Sequence, residues 1–384
     1  MTTFKKDDNI NVNPAFAYRE LCSNFNTTRV KSIYTYCSAL ILVFFLNIIP
    51  GYSQIGGDNT FEFLNLPNSA RVASLGGNFL AIYDHDITLA VNNPSLISPE
   101  MNNNIGLSFI DYFSGINYGF AAYSRTFDKI GSFAGTMQFI NYGRFTKTDA
   151  SGIEQGEFTA SELALNIGWG RRLHPHFTIG SDVKVIYSGF DEYKSYGLAV
   201  DVAGSYIDEE GLFTASLIVR NIGYQLKAYD GSNNELLPFE IQAGMSAGLR
   251  HLPFRFSVLL NHLERWDLRY TDPVKEEESI DPITGVKKED SWIVKAADEA
   301  MRHVVIGGEL NITNFLSFRI GYNYQRRQEL KVDNKTSTVG LSWGVGLRIS
   351  KFHFSYSRSR YHLAGSPNFI TITTNLSDFA KAAK

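Results

Sequence analysis

The chain has 384 residues and a formal net charge of −3, with 14% aromatic residues, 20% charged residues and only 11 Pro. A charge so close to neutral gives no electrostatic basis for a nucleic-acid partner. The high Phe and Tyr content is foreign to a soluble α/β enzyme and suits strands that carry aromatic girdles at membrane surfaces.

The N-terminus reads as an export signal over residues 1–53, its functional part being 29–53. Arg29 and Lys31 precede the apolar run 39–49, which leads into Pro50-Gly51-Tyr52-Ser53. That is the charged, apolar and small-residue order of a signal peptide, with cleavage expected after Ser53. The run also contains Asn47 and is too short to span a membrane, which takes about 20 apolar residues. The stretch before Arg29 is polar, and no Met follows Met1 before Met101. Translation is therefore expected to begin at Val30 from an alternative start codon; peptides from residues 1–29 in the expressed protein would rule this out. Both cysteines, Cys22 and Cys37, precede the cleavage site, so the mature chain is expected to lack disulfides and cysteine chemistry.

Residues 54–103 show no period of two. Phe61-Glu62-Phe63-Leu64 and the stretch 69–81 predict a short helix followed by irregular structure, punctuated by Gly56-Gly57, Gly76-Gly77 and Asn92-Asn93-Pro94. This segment is expected to plug or line a barrel. Asp84-His85-Asp86 within it reads as a turn, because Asp favours turns.

From residue 104 onward, apolar and polar residues alternate. Val339, Leu341, Trp343, Val345, Leu347 and Ile349 fall on one face, with Gly340, Ser342, Gly344, Gly346 and Arg348 on the other. Fourteen such segments follow: 104–112, 116–126, 132–142, 159–171, 176–189, 195–207, 212–222, 238–250, 254–263, 303–312, 315–325, 336–349, 351–359 and 367–376. Their length suits tilted membrane strands, which need about 9–11 residues. The links after even-numbered segments are short. Those after odd-numbered segments, 143–158, 190–194, 223–237, 264–302, 326–335 and 360–366, are mostly longer. Outer-membrane barrels sort their connections this way, with short periplasmic turns and long outer loops. The fold class predicted is all-β, a 14-stranded antiparallel transmembrane β-barrel over 104–384 with an N-terminal helical or irregular plug. An even strand count places both termini in the periplasm.

Alternation puts Asp182, Lys184, Asp201, Arg220, Arg250, Arg255, Glu309, Arg319 and Arg348 opposite the apolar face, as candidate lumen charges. Facing lipid, an Arg or Lys at the midplane would cost about 2–4 kcal/mol. The loop 264–302 is the largest external feature. Its acidic run Glu276-Glu277-Glu278 and Trp292, at the head of a predicted helix over 291–301, are candidate partner-binding residues.

Catalytic and cofactor motifs are sparse. Gly244-Met245-Ser246-Ala247-Gly248 matches the nucleophile-elbow pattern, but it sits in an alternating strand instead of the strained strand-to-helix turn that this chemistry needs. Gly344-Val345-Gly346 opens no helix, and His174-Pro175-His176 alone does not complete a zinc site. No enzyme activity, cofactor or metal is expected.

The segment Asn59-Thr60-Phe61-Glu62-Phe63-Leu64-Asn65-Leu66-Pro67-Asn68-Ser69-Ala70-Arg71, continuing through Leu75-Gly76-Gly77 to Asn93-Pro94-Ser95, resembles the opening of the PorV/PorQ family of type IX secretion barrels in Bacteroidetes. The family is more distantly similar to the fourteen-stranded long-chain fatty-acid transporters. The resemblance implies a barrel without an active site that belongs to a surface attachment complex. Such a barrel anchors a PorZ-like surface partner near PorU and PorV while cargo is processed and joined to lipopolysaccharide. One departure is the missing terminal aromatic of the last strand, which ends at Leu376, with Phe379 as a substitute. The alternative is a channel for hydrophobic small molecules, with Phe61, Phe63, Leu64, Leu66 and Phe79 lining an internal pocket.

Overall fold

The computed structural model describes residues 59–231, 234–269, 291–331, 338–362 and 365–380. The predicted export signal, both cysteines and the acidic run Glu276-Glu277-Glu278 lie outside the described residues. Fourteen strands are present: β1 (Asn104–Asp111), β2 (Asn117–Phe127), β3 (Gly131–Thr148), β4 (Glu154–His174), β5 (Phe177–Phe190), β6 (Tyr193–Ile207), β7 (Phe213–Lys227), β8 (Glu240–Gly248), β9 (Phe254–Leu260), β10 (Val304–Asn311), β11 (Leu316–Asn323), β12 (Leu341–Ile349), β13 (Phe352–Ser359) and β14 (Asn368–Asn375). Each pairs antiparallel with its sequence neighbours. The seam between β1 and β14 closes the barrel, with Phe109 opposite Ile370.

The period of two decides which side chains meet which medium. Leu107, Phe109, Ile167, Ile320 and Trp343 point outward and are 47–66% exposed, whereas Ser108, Asn166, Arg319 and Ser342 between them point inward and are at most 7% exposed. An apolar belt this continuous exceeds the few hundred Å² that soluble monomers leave bare, so it needs lipid to cover it.

Strand lengths differ from the sequence expectation where cross-strand pairing outruns local alternation. β3 and β4 continue past a bulge at Asn141/Gly143, so the expected loop 143–158 shrinks to the turn 149–153. Stacked Phe145 and Phe158, with centroids 5.3 Å apart, hold this extension together. Conversely, β11 stops at Asn323, whose side chain caps a helix by accepting from Arg326 N at 2.8 Å. Part of the expected loop 326–335 is therefore helix Tyr324–Leu330.

The plug occupies the lumen from one end to the other. Thr60 N donates to Leu236 O (2.9 Å) in the connection after β7, at the long-loop end. A 3₁₀ turn (Glu62–Asn65) and helix α1 (Ala70–Ser74) follow, the helix capped by the Ser69 hydroxyl. The chain then descends in extended form to helix α2 (Ile87–Ala90), capped by Asp86 at the short-turn end, and passes two 3₁₀ turns before β1. The stretch 69–81 is a short helix, the single turn α1, followed by irregular structure. The first described residue of the plug and the C-terminal helical turn at Ser377–Ala380 thus lie at opposite ends of the barrel. The expectation that both termini lie in the periplasm concerns chain ends that fall outside the described residues.

Candidate functional sites in the plugged lumen

Plug and wall are joined first by backbone-level contact. Gly180 of β5 and Gly170 of β4 face Pro94, and Gly321 of β11 faces Leu75. A Cβ on Gly180 would lie 2.2 Å from the Pro94 carbonyl carbon, and one on Gly321 would lie 2.0 Å from that of Leu75. Glycine is needed there because the plug backbone lies where a side chain would stand. Around these points the apolar plug residues Val72, Leu75, Phe79, Leu80, Ile82 and Leu89 pack on Ala203, Ile218, Leu259 and Val305 of the wall.

The second joint is ionic. Arg71, on α1, grips Glu309 of β10 through two parallel hydrogen bonds, Nε to Oε1 at 2.8 Å and Nη2 to Oε2 at 2.9 Å. Arg319 of β11 donates to the same Oε1 at 2.8 Å, and Arg255 of β9 lies 3.6 Å from Oε2. Asp84 and Asp86, on the plug's own descending limb, close the set on Arg71 at 2.5 and 3.2 Å. Three guanidinium groups therefore meet three carboxylates, and Glu309 itself is wholly buried. A network of this kind is satisfied only with every member in place.

A smaller network holds the opposite wall. Lys184 Nζ donates to Asp201 Oδ2 (2.6 Å) and Asn221 Oδ1 (2.8 Å), while Asp182 Oδ1 accepts from Asp201 N at 3.2 Å. Asp201 sits at a bulge, where Asn221 adopts φ 55° and donates its backbone N–H to Asp201 Oδ1 at 2.7 Å. Arg220 reaches Asp201 at 3.8 Å and the plug carbonyl of Leu64 at 3.4 Å.

Six of the candidate lumen charges, Asp182, Lys184, Asp201, Arg220, Glu309 and Arg319, are thus buried in the lumen. Arg250 is a correction. β8 ends at Gly248, so alternation does not reach this residue, which lies exposed in the following turn and pairs with Glu210 of the neighbouring turn. Arg348 is also exposed, lining a cleft of about 410 Å³ at the short-turn mouth with Lys351, His353 and the Asp84/Asp86 pair. Sequence reasoning missed Arg71 as the partner of Glu309, although an Arg in a segment otherwise rich in small and apolar residues was a visible signal.

The motif 244–248 is ordinary strand. Ser246 Oγ donates to the plug carbonyl of Ala81 at 2.6 Å, so the hydroxyl serves plug attachment and stands on no turn. Asp84 and Asp86 are committed to Arg71. Among the described residues no group of three His, Cys, Asp or Glu side chains is placed to hold a metal ion.

At the long-loop end, helix α3 (Trp292–Arg302) rests on the barrel rim through its polar residues. Asp298 accepts from Tyr324 OH (2.6 Å) and from Arg302 Nε (2.9 Å), and Glu299 accepts from Leu268 N at 2.5 Å. Hydrogen bonds from Tyr324 and Arg302 outweigh the effect of burial and hold the Asp298 carboxyl below its ordinary pKa. The start of the helix is left bare: Trp292, Ile293 and Val294 are 76%, 59% and 56% exposed. His262, just past β9, bonds Glu264 at 3.2 Å with Glu240 at 3.8 Å. Burial pulls its pKa down, but the Glu264 hydrogen bond and the charges of Glu240, Glu264 and Glu329 win and raise it to about 9.

A closed sheet of fourteen antiparallel strands, apolar outside and polar and plugged inside, defines an outer-membrane β-barrel. No family model and no curated protein matches the chain. Among solved structures it is similar to the Ralstonia pickettii toluene transporter TbuX, at 11% identity over 81% of this chain and 99% of that one, with a TM-score of 0.49. It is also similar to the Pseudomonas putida toluene transporter TodX (11% identity, 80% and 97% covered, TM-score 0.47) and to a Pseudomonas aeruginosa FadL homologue (10%, 80% and 98%, 0.43). At such identities the likeness concerns the fold alone.

Proposed function

We propose that this barrel is a sealed, non-enzymatic anchor for a soluble protein on the cell surface, the role its N-terminal resemblance to the PorV/PorQ family implies. In this reading the long-loop end faces the exterior and the short turns face the periplasm of a Bacteroidetes-type cell. The partner is PorZ-like and works with PorU and PorV in the type IX attachment complex, close to lipopolysaccharide. The observation that supports it is a lumen filled to backbone contact with the plug, beside a rim helix that points its polar residues down and Trp292, Ile293 and Val294 outward. Exposed aromatic anchors on a rigid scaffold are what a docking surface requires. The test is affinity capture of the tagged barrel from outer membranes, read by mass spectrometry. Wild type should bring down a large surface protein, and the Trp292→Asp/Ile293→Asp variant or a 264–302 deletion should lose it while still inserting. Equal capture by both variants, or no surface protein with wild type, would overturn the reading.

A second reading, a channel for hydrophobic small molecules like the toluene transporters, is favoured by one specific feature. An open cleft at the long-loop end is lined by Phe61, Phe63, Tyr142, Phe190 and Tyr229 beside the plug. Uptake of a radiolabelled aromatic hydrocarbon into cells, lost on deleting the gene and restored by the wild-type protein, would support it over the anchor.

A further inference from the structure

The aromatic cleft has a charge character that neither reading of function uses. The open cleft holds about 450 Å³, within the range of small-molecule sites. Its lining includes three carboxylates, Glu62, Glu162 and Glu235, and, among the described residues, no Lys, Arg or His. Glu162 is the telling member. It stands on β4, faces inward and is 4% exposed. Its Oε2 accepts from Tyr142 OH at 2.5 Å, and among the described ion pairs none involves it. Of the other inward carboxylates of the lumen, Asp201 and Glu309 have cationic partners, and Asp182, which has no described ion pair, accepts the backbone N–H of Asp201.

The rings around Glu162 form a connected wall. Tyr142 packs on Phe190 with centroids 5.8 Å apart, and Phe190 meets Tyr229 edge to face at 5.7 Å. Tyr229 OH is fixed by Ser188 Oγ at 2.7 Å. Phe61, on the plug, completes the enclosure. It holds φ 60°, ψ 35°, a conformation uncommon for an aromatic residue, with its ring against Gly197, where a Cβ would lie 2.6 Å from Cε2.

Aromatic faces carry negative potential and attract cations within about 6 Å of the ring centroid, most strongly where water is excluded. A buried carboxylate behind such faces adds a fixed counter-charge. A fatty acid or phosphate would meet three like charges here, and a neutral hydrocarbon would leave Glu162 uncompensated. We propose that this cleft is a binding site for an organic cation, a quaternary or alkylated ammonium group carried on an apolar body, with the ammonium seated against the Tyr142–Phe190–Tyr229 wall and Glu162 behind it as counter-charge. The proposal stands whether the barrel anchors a protein or passes small molecules.

Isothermal titration of the full mature barrel in a neutral maltoside detergent tests it. Benzyltrimethylammonium is the probe, and benzyl tert-butyl ether is the uncharged comparator of similar outline. The cation should bind saturably, and the ether about tenfold or more weakly. Glu162→Gln should weaken the cation about tenfold and leave the ether unchanged. Phe190→Leu removes a ring without touching the buried carboxylate, and it should weaken the cation several-fold even where Glu162→Gln fails to fold. Equal affinity for cation and ether, unchanged cation binding in the folded variants, or no saturable binding up to about 10 mM would overturn the assignment.

Discussion

Replacing Arg71 by Met tests whether the ionic joint keeps the plug seated. Met retains much of the side-chain length, so the change removes charge more than volume. It leaves Asp84, Asp86 and Glu309 facing only Arg255 and Arg319, a surplus of one negative charge around a carboxylate with no solvent access. Breaking a buried ion pair on one side costs about 3–5 kcal/mol, because the remaining charge stays buried without its partner. At about 1.4 kcal/mol per factor of ten, states with the plug displaced should gain roughly two to three and a half powers of ten in population. Two assays read this. Planar-bilayer recordings should show openings that wild type lacks, and the urea midpoint in lipid vesicles should fall. Removing the network more completely, with Arg71→Met and Glu309→Met together, should cost less than the sum of the single changes, since neither charge is then stranded. Arg250→Met, at an exposed pair on the short-turn rim, is the control and should leave both readouts close to wild type. If Arg71→Met matches wild type in both conductance and midpoint, the plug is held by packing alone and the ionic argument fails.

Three further outcomes follow from the same geometry. Gly321→Ala and Gly180→Ala should each destabilise by at least the roughly 1–3 kcal/mol of overpacking, since the colliding atoms are plug backbone, whereas Gly135→Ala, with nothing within 4 Å of its Cβ, should be close to neutral in the same urea assay. Ile320→Arg, on the outward face, should cost about 2–4 kcal/mol in vesicles if it lies near the membrane midplane, while Ser317→Asn, inward on the same strand, should not reproduce that loss. The His262 clamp should be pH-dependent: its folded pKa, about 9, exceeds the ordinary 6.5, so its stabilisation is complete below 6.5 and disappears as pH rises through 9. Limited proteolysis of the long-loop end should accordingly accelerate between pH 7 and 10 in wild type, and His262→Gln should flatten that dependence.

The barrel was legible because its organising signal is local. Leu341, Trp343 and Leu347 against Ser342, Gly344 and Gly346 announce two faces within a single strand, and fourteen repeats of that pattern give the strand number. What was illegible depended on residues far apart in the chain. The continuation of β3 and β4 rests on Phe145 meeting Phe158 across a turn, and the direction of the plug rests on Thr60 finding Leu236. Arg71 and Glu309 are separated by 238 positions. The candidate charges followed the same division. Alternation placed Lys184 and Asp201 on one side of the wall, but it could not show that β8 stops before Arg250, nor that Glu162 ends in an aromatic enclosure.

The threaded plug also constrains the order of assembly. Residues 59–103 contact strands from both halves of the sheet, and the last strand to leave the ribosome, β14, zips onto β1, the strand immediately after the plug. Once that zip is complete, a segment that meets the wall backbone to backbone at Gly180 and Gly321 has no sideways route in. The earliest part of the cylinder must therefore act as the mandrel on which the sheet is rolled, and a synthetic 59–103 peptide added to a barrel folded without it should fail to restore the native form.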